Sequence, residues 1–401
     1  MAGTGICLNM IVKNEALVIG RCLDSVLPFI DRWVIVDTGS SDDTRALVQQ
    51  HLRSKPGELH ERPWKNFGHN RNEALKLAAP QAEYVFFIDA DERLAVPTQF
   101  ERGNLVADGY YLSCEYGGTT YARCALVATR LPWRWEGVVH EYLTCDGGFQ
   151  LQTLAGPLIV VSHDGARSRD PDTYLKDAAL LEQALRVNPD DARSTFYLAQ
   201  SYRDSGQLEK SREVYRRRSE MKGWEEEGWF ALYQAAVLEE RLGSAPAVVS
   251  FTYLSAYQRR PSRAEPLVRL ARYHRLRNEF ELAVLYAQRA AALPRPADLL
   301  FIDDAAYSWV ALDELAVAAY YTPQHRAAGR AALQRLLAQN QFSEGERPRM
   351  LKNQELYGLA SQARPLGRNA PTARASDARW NAADPGAVSP PRARPSANEV
   401  G

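Results

Sequence analysis

The stretch Tyr84-Val85-Phe86-Phe87-Ile88-Asp89-Ala90-Asp91-Glu92 decides how this chain is read. Its first five residues are aromatic or aliphatic without a break, the pattern of a strand buried on both faces. Three carboxylates then fall within four residues. Like charges this close repel one another unless a cation lies among them, and hard oxygen ligands at that density suit Mg²⁺ or Mn²⁺. Such an ion suits a diphosphate in turn, so the stretch points to a nucleotide-linked substrate. A lone D-x-D also ends many strands as a solvated acidic turn, and the choice between the two rests on its neighbours.

Strand and helix signals alternate in the residues before it. Ile6 to Val12 and Trp33 to Val36 read as strands, and Leu59 to Arg62 as a shorter one. Between them, Ala16, Ile19, Leu23 and Val26 recur at helical spacing in Glu15 to Val26. Ser41 or Asp42 can cap a helix over Asp43 to Leu52, and Asn70 to Ala79 reads as a third helix. This alternation predicts an α/β domain, Rossmann-like, with a mostly parallel sheet and helices on both faces. Ligands of such sheets sit beyond the carboxyl ends of the strands. Asp37 and Asp89 both follow strand ends and can face one crevice.

From about 95 to 165 the pattern turns strand-rich, with candidates at Tyr110 to Cys114, Ala125 to Thr129, Glu141 to Thr144 and Leu158 to Val161. After 170 the strand signals nearly vanish. Leu198, Ala199, Tyr202, Gly206, Ser211 and Tyr215 sit at the offsets of a tetratricopeptide repeat. A weaker copy ends its first helix at Gly243, and a third fits Leu270, Ala271, His274, Ala283, Ala287 and Ala290. The expectation is an all-α, TPR-like repeat domain, an unrelated helical bundle being the alternative. Beyond 362 the chain is rich in Pro, Arg and Ala and reads as a disordered tail. The expected division is therefore 1–165, 166–361 and 362–401.

Composition narrows the classes. The 401 residues are 45% hydrophobic and 24% charged, with 49 basic against 49 acidic side chains, so no bulk field favours nucleic acid or an acidic membrane. No apolar run is long enough to span a bilayer, and Met1 to Gly5 lacks the regions of a signal peptide; a cytoplasmic location is expected. The five cysteines, Cys7, Cys22, Cys114, Cys124 and Cys145, show no C-x-x-C spacing, which argues against structural zinc or a disulfide framework.

Five segments in order carry a resemblance: Asn9-Met10-Ile11-Val12-Lys13-Asn14-Glu15, Val36-Asp37-Thr38-Gly39-Ser40-Ser41-Asp42-Asp43-Thr44, Phe67-Gly68-His69-Asn70-Arg71-Asn72-Glu73-Ala74, Asp89-Ala90-Asp91-Glu92 and Trp135-Glu136-Gly137-Val138-Val139-His140-Glu141. Over roughly residues 6–165 the chain resembles family 2 glycosyltransferases of the GT-A fold. The similar branch includes lipopolysaccharide core glucosyltransferases and bacteriocin peptide S-glycosyltransferases, some of which also carry tetratricopeptide repeats. The resemblance implies a hexosyltransferase using a nucleotide-sugar, UDP-glucose or UDP-N-acetylglucosamine first, with Mn²⁺ or Mg²⁺ and an inverting mechanism. It implies that Asp37 reads the uracil and that Arg71, Asn14 and Glu15 bind the nucleotide. Asp89 would contact the ribose or a metal-bound water, or join the metal as a second ligand. Asp91 would hold the metal, completed by His163, with Glu92 behind them.

An inverting transfer needs a base on the acceptor side. Glu141 occupies the family's place for it, although His140-Glu141 departs from the usual Glu-Asp, and Glu136 is the second choice. Trp133 and Trp135 are candidates to stack on a sugar or simply core residues. The acceptor is expected to be a peptide, protein or glycan, recruited, with a possible second subunit, by the helical repeats. Tyr197, Tyr202, Arg203, Trp224, Trp229 and Tyr253 are candidate contacts there, some of them necessarily core. Two other classes compete: a non-catalytic scaffold with a decayed transferase domain, and a nucleotidyltransferase, which would want a Gly-rich phosphate loop that Met10 to Glu15 does not provide.

Overall fold

The structure is a computed structural model and describes residues 5–100, 103, 105–162 and 164–359. The expected tail, 362–401, lies outside the described residues.

The first half is built on strands β1 (Ile6–Val12), β2 (Arg32–Asp37), β3 (Gly57–Glu61) and β4 (Tyr84–Phe87), ordered β3-β2-β1-β4 and all parallel. They alternate with helices α1 (Ile19–Val26), α2 (Thr44–Leu52) and α3 (Phe67–Ala78). Side chains of β1 divide by parity. Ile6, Leu8, Met10 and Val12 join Ile19, Cys22, Leu23 and Val26 of α1 in one apolar cluster. Cys7 faces the other way, into a cluster with Val34, Val85, Phe87 and, from α3, Leu75 and Ala78. Both faces are thus covered, which is why these strands read as continuous apolar runs. Asn9 breaks the run and is buried; its amide donates to the carbonyls of Val34 and Ala74 at 3.0 and 3.1 Å, tying α3 to the sheet.

Helix α3 starts three residues earlier than the periodicity suggests because Asn66 caps it, accepting from the His69 amide at 2.8 Å. Helix α1 starts at Ile19, later than expected, since Glu15 to Val18 form turns.

Beyond β4 the sheet becomes mixed. Strands β5 (Arg93–Ala95), β6 (Gly109–Tyr116), β7 (Thr119–Ala128) and β10 (Leu151–Val160) continue it in the order β4-β7-β6-β10-β5, while β8 (Arg134–Glu136) and β9 (Tyr142–Thr144) form a separate antiparallel pair. β5 and β8, three residues each, carry too little pattern to be seen in sequence.

Helices follow from α4 (Thr173–Val187). Pairs α5 (Ala192–Asp204) with α6 (Leu208–Glu220), α7 (Glu225–Arg241) with α8 (Pro246–Arg259), and α9 (Glu265–Leu276) with α10 (Phe280–Ala291) pack in succession. Each first helix ends on a left-handed residue: Gly206, Gly243 and Asn278. Their recurrence at nearly the ~34-residue tetratricopeptide step is the physical repeat. Ser211 lets α6 approach α5, its hydroxyl donating to the Ala199 carbonyl at 2.7 Å. The stack continues with α11 (Ala311–Tyr320), α12 (Arg326–Gln339) and α13 (Arg347–Leu356).

One element crosses between the halves. The chain after α10 forms β11 (Ile302–Asp303), which pairs antiparallel with Thr119 and Thr120 of β7. The Ala122 amide adds a bond to the Leu299 carbonyl at 2.7 Å. Arg263, almost wholly buried, holds this strap from below through the carbonyls of Leu300 and Phe301 at 3.1 and 2.7 Å. Among the described residues no helix is long and apolar enough to cross a membrane.

Candidate active site

The carboxyl ends of β1, β2 and β4 open into a cleft of about 2770 Å³, walled on its far side by α4, α5 and the strap. The carboxylates after β4 divide there. Asp89 accepts from Arg71 at 2.8 Å and lies 3.6 Å from Arg123. Burial alone would raise Asp89, but the two guanidinium groups outweigh it and hold the carboxyl down at about 2. Glu92, buried, accepts from Arg123 at 2.9 Å and caps the turn by accepting from the Asp89 amide at 2.9 Å.

Asp91 is different. Among the described residues no cationic side chain pairs with it. Burial, then Asp89, Glu92 and Glu15, push it up to about 7. Gly165 backs it: a Cβ there would come within 2.9 Å of its Oδ2. An oxygen ligand with uncompensated negative charge fits a divalent cation that takes its remaining ligands from diphosphate and water. No group of three His, Cys, Asp or Glu converges on a metal-sized site among the described residues, so Asp91 would be the protein's ligand there. The expected third ligand, His163, lies outside the described residues. Asp89, expected as a second ligand, turns instead to its two arginines.

Asp37 ends β2 and is buried; Thr38 beside it lines the cleft. One oxygen, Oδ1, accepts from the amides of Gly39 and Ser40 at 2.9 and 2.8 Å, while Oδ2 is buried without a partner. Asn14 and Glu15 lie on the rim with their side chains engaged in joining loops. Asn14 accepts from the Ser41 amide at 2.8 Å, and Glu15 from the Ala166 amide at 3.0 Å. Both residues line the cleft.

On the opposite wall Glu141 precedes β9 with its side chain 7% exposed. Burial raises its pKa, partly offset by Arg71. Its Oε2 lies 3.8 Å from Arg71 Nε, and Oε1 is buried without a hydrogen-bond partner. Two donors beside it are equally unused: Arg71 Nε and Trp135 Nε1. The Arg71 guanidinium lies over the Trp135 ring at 5.0 Å. An orphan acceptor next to orphan donors in a cleft is the arrangement a polar ligand would complete. Glu136, the second-choice base, is instead occupied by Arg134 at 2.8 Å and the Tyr142 hydroxyl at 3.0 Å. Trp133 is core, its indole donating to the Ala128 carbonyl at 3.0 Å; Trp135 lines the cleft. Asn72 grips the Trp135 backbone in both directions, at 2.9 Å each way.

Of the candidate contacts in the helical half, Tyr202, Trp229 and Tyr253 are the ones that pack as core; Arg203, though largely buried, lines the cleft with Tyr197 and the exposed Trp224. Arg123 escaped sequence reading altogether. It lies mid-strand in β7, and its acidic partners are joined to it only by sheet pairing.

Residues 7–102 match the family model described as Glycosyl transferase family 2. A TPR repeat-containing protein of Synechococcus elongatus is 28% identical over 316 residues, 73% of this chain and 76% of its own length. The lipopolysaccharide core biosynthesis glycosyltransferase LpsC of Rhizobium meliloti is 37% identical over 86 residues, 21% of this chain and 31% of its own. The SPbeta prophage-derived glycosyltransferase SunS of Bacillus subtilis is 25% identical over 212 residues, 48% of each chain, so the match spans half or less of the last two relatives. Family model, relatives and architecture agree on a domain similar to glycosyl transferase family 2, matched over residues 7–102, with tetratricopeptide-like helical repeats following it.

Proposed function

We propose that the cleft transfers a hexose from a nucleotide-sugar, a UDP-sugar first, to an extended acceptor, a peptide or glycan chain, with inversion and with a divalent metal. The observation that carries this reading is the set of polar groups that one cleft leaves unmet: Glu141 Oε1, Arg71 Nε and Trp135 Nε1, buried without partners, and the half-buried Asp91, which no cationic side chain pairs among the described residues. Buried charge without a partner destabilises a fold unless a ligand completes it. That speaks against a decayed, purely scaffolding domain.

In this reading the Asp37 carboxylate meets the base edge and Arg71 faces the nucleotide. Glu141 takes the proton of the acceptor nucleophile as that atom bonds to the anomeric carbon. The bond from that carbon to the diphosphate oxygen breaks, and the nucleoside diphosphate leaves with the electron pair. A Mn²⁺ or Mg²⁺ held by Asp91 would supply Lewis-acid stabilisation of the departing diphosphate. Inversion follows from a single displacement with one base on the acceptor side. The cleft far exceeds the ~300–1,000 Å³ typical of small-molecule sites, which supports an acceptor that is itself a chain. The name of LpsC favours a glycan among these. The working division is residues 1–165 for transfer and 166–361 for acceptor binding, crossed by β11.

Calorimetry on the full chain with UDP and GDP tests the donor. UDP is expected to bind at least tenfold tighter, only with Mn²⁺ or Mg²⁺ present, and Asp37→Ala to erase the preference. Equal affinities, or binding unchanged by chelator, would refute it.

A further inference from the structure

The loop that carries Glu141 is fastened from both halves of the molecule. On the transferase side Asn72 fixes the Trp135 backbone, and the loop then turns back over α3, where a Cβ at Gly68 would come within 3.0 Å of the Gly137 carbonyl oxygen. From Gly137 to Glu141 the chain leaves the transferase core. Val139 is buried in an apolar cluster made entirely of helical-half residues: Ala178, Leu181, Leu185, Leu198 and Tyr202. His140 adopts a left-handed backbone, φ +55°, which a non-glycine residue holds only when its surroundings enforce it.

The enforcing residues lie on α5. The His140 ring stacks on Tyr197, centroids 4.0 Å apart and planes 10° off parallel. Arg193 donates twice to the His140 carbonyl, from Nε at 3.3 Å and Nη2 at 3.1 Å. Its remaining Nη1 bonds Glu227 of α7 at 2.9 Å, and its plane lies over Tyr142 and Tyr197 at 5.0 and 4.9 Å. The guanidinium is therefore held on four sides, with its fork aimed at one backbone oxygen adjacent to Glu141.

We propose that Arg193 and Tyr197 are positioning residues for sugar transfer: by clamping His140 they set the Glu141 carboxylate in the cleft, so the first tetratricopeptide-like helix is part of the catalytic apparatus as well as a wall for the acceptor. This rests on Glu141 being the base.

The test uses the full-length chain, with UDP-glucose and UDP-N-acetylglucosamine hydrolysis in Mn²⁺ as the activity probe. In Arg193→Met and Tyr197→Ala, amide hydrogen exchange over residues 137–142 should quicken tenfold or more while β1 to β4 keep their protection. The hydrolytic kcat should fall at least tenfold with KM and UDP affinity within twofold. Tyr197→Phe keeps the stack and loses only the hydroxyl that accepts from Arg193 at 3.4 Å, so its loss of kcat and its rise in exchange should be smaller than those of Tyr197→Ala, and this pair carries the test if Arg193→Met fails to fold. Adding Arg193→Met to Glu141→Gln should lower the rate no further than Glu141→Gln alone, because both act through one carboxylate. Unchanged exchange over 137–142, an unchanged kcat with a loosened loop, or additive losses would each overturn the proposal. Wild-type turnover in Glu141→Gln would remove the base assignment instead, leaving the exchange result intact. If neither donor is hydrolysed by the wild type, the exchange measurement alone decides whether Arg193 and Tyr197 position the loop.

Discussion

In the helical half Arg263 and Glu265 are both sealed from solvent and joined at 2.7 Å, and the buried Glu314 is met by the half-buried Arg275 at 2.9 Å. In the sheet half Asp91 has no cationic partner among the described residues, and Glu141 approaches Arg71 only to 3.8 Å. Both halves hold closed pairs, Glu92 with Arg123 among them in the sheet half, but the cleft also keeps two carboxylates open. A closed pair is part of the scaffold, since removing one member strands the other. An open group costs stability in the empty protein and is explained only by what arrives later. The contrast separates residues that hold the fold from residues kept for chemistry.

The sharpest way to break this contrast is Glu141→Gln. Turnover should fall by about 100- to 10,000-fold, the usual worth of a general base, while Mn²⁺–UDP affinity changes less than twofold. Steady-state kinetics beside calorimetry checks it; retained turnover would return Glu141 to the scaffold. Arg263→Met should do the reverse. It strands Glu265 under the β11 strap and should cost about 3–5 kcal/mol in urea unfolding, with little change in UDP affinity for the folded fraction. A stable Arg263→Met would show that closed pairs here are dispensable.

The smallest expected effect is in pH. Asp91 titrates in the fold at about 7, above its ordinary value of 3.8. The metal-free protein therefore holds a proton that the unfolded chain has already lost. The stability present below the ordinary value is lost as pH rises through about 7, some ~2 kcal/mol once solvent screening is allowed for. Asp91→Asn should flatten that slope in thermal scans from pH 4 to 8. Added Mn²⁺ should also reduce it, and a wild type with no slope would place a compensating cation beside Asp91.

Much of this was legible before any coordinates. The strands β1, β2 and β4 announce themselves because both faces are covered, and the helix pairs because Gly206, Gly243 and their apolar offsets recur. Asp91 was read from local charge crowding, which needs only its neighbours. Arg123, the clamp on His140 and the β11 strap were not legible. Each depends on groups far apart in sequence: Arg123 meets Asp89 across a strand pair, and Arg193 meets His140 between two domains. Nor does local motif placement show the serine and alanine amides that Asn14 and Glu15 accept from. Tyr202 and Trp229 were equally ambiguous, because an aromatic at repeat spacing looks the same whether it packs inward or meets a ligand.

The strap also has a consequence for how the chain is made. Thr119 and Thr120 of β7 find their outer neighbours only in Ile302 and Asp303. At about 5–20 residues per second, a ribosome needs roughly 10–35 s after finishing β7 to deliver that strand. During this interval the growing sheet carries a bare edge beside Arg123, a template for unwanted pairing. The polar threonines at that edge, together with its shortness, limit the danger while synthesis catches up. A nascent chain arrested before residue 302 should therefore stay dependent on chaperones, whatever the completeness of its transferase sequence.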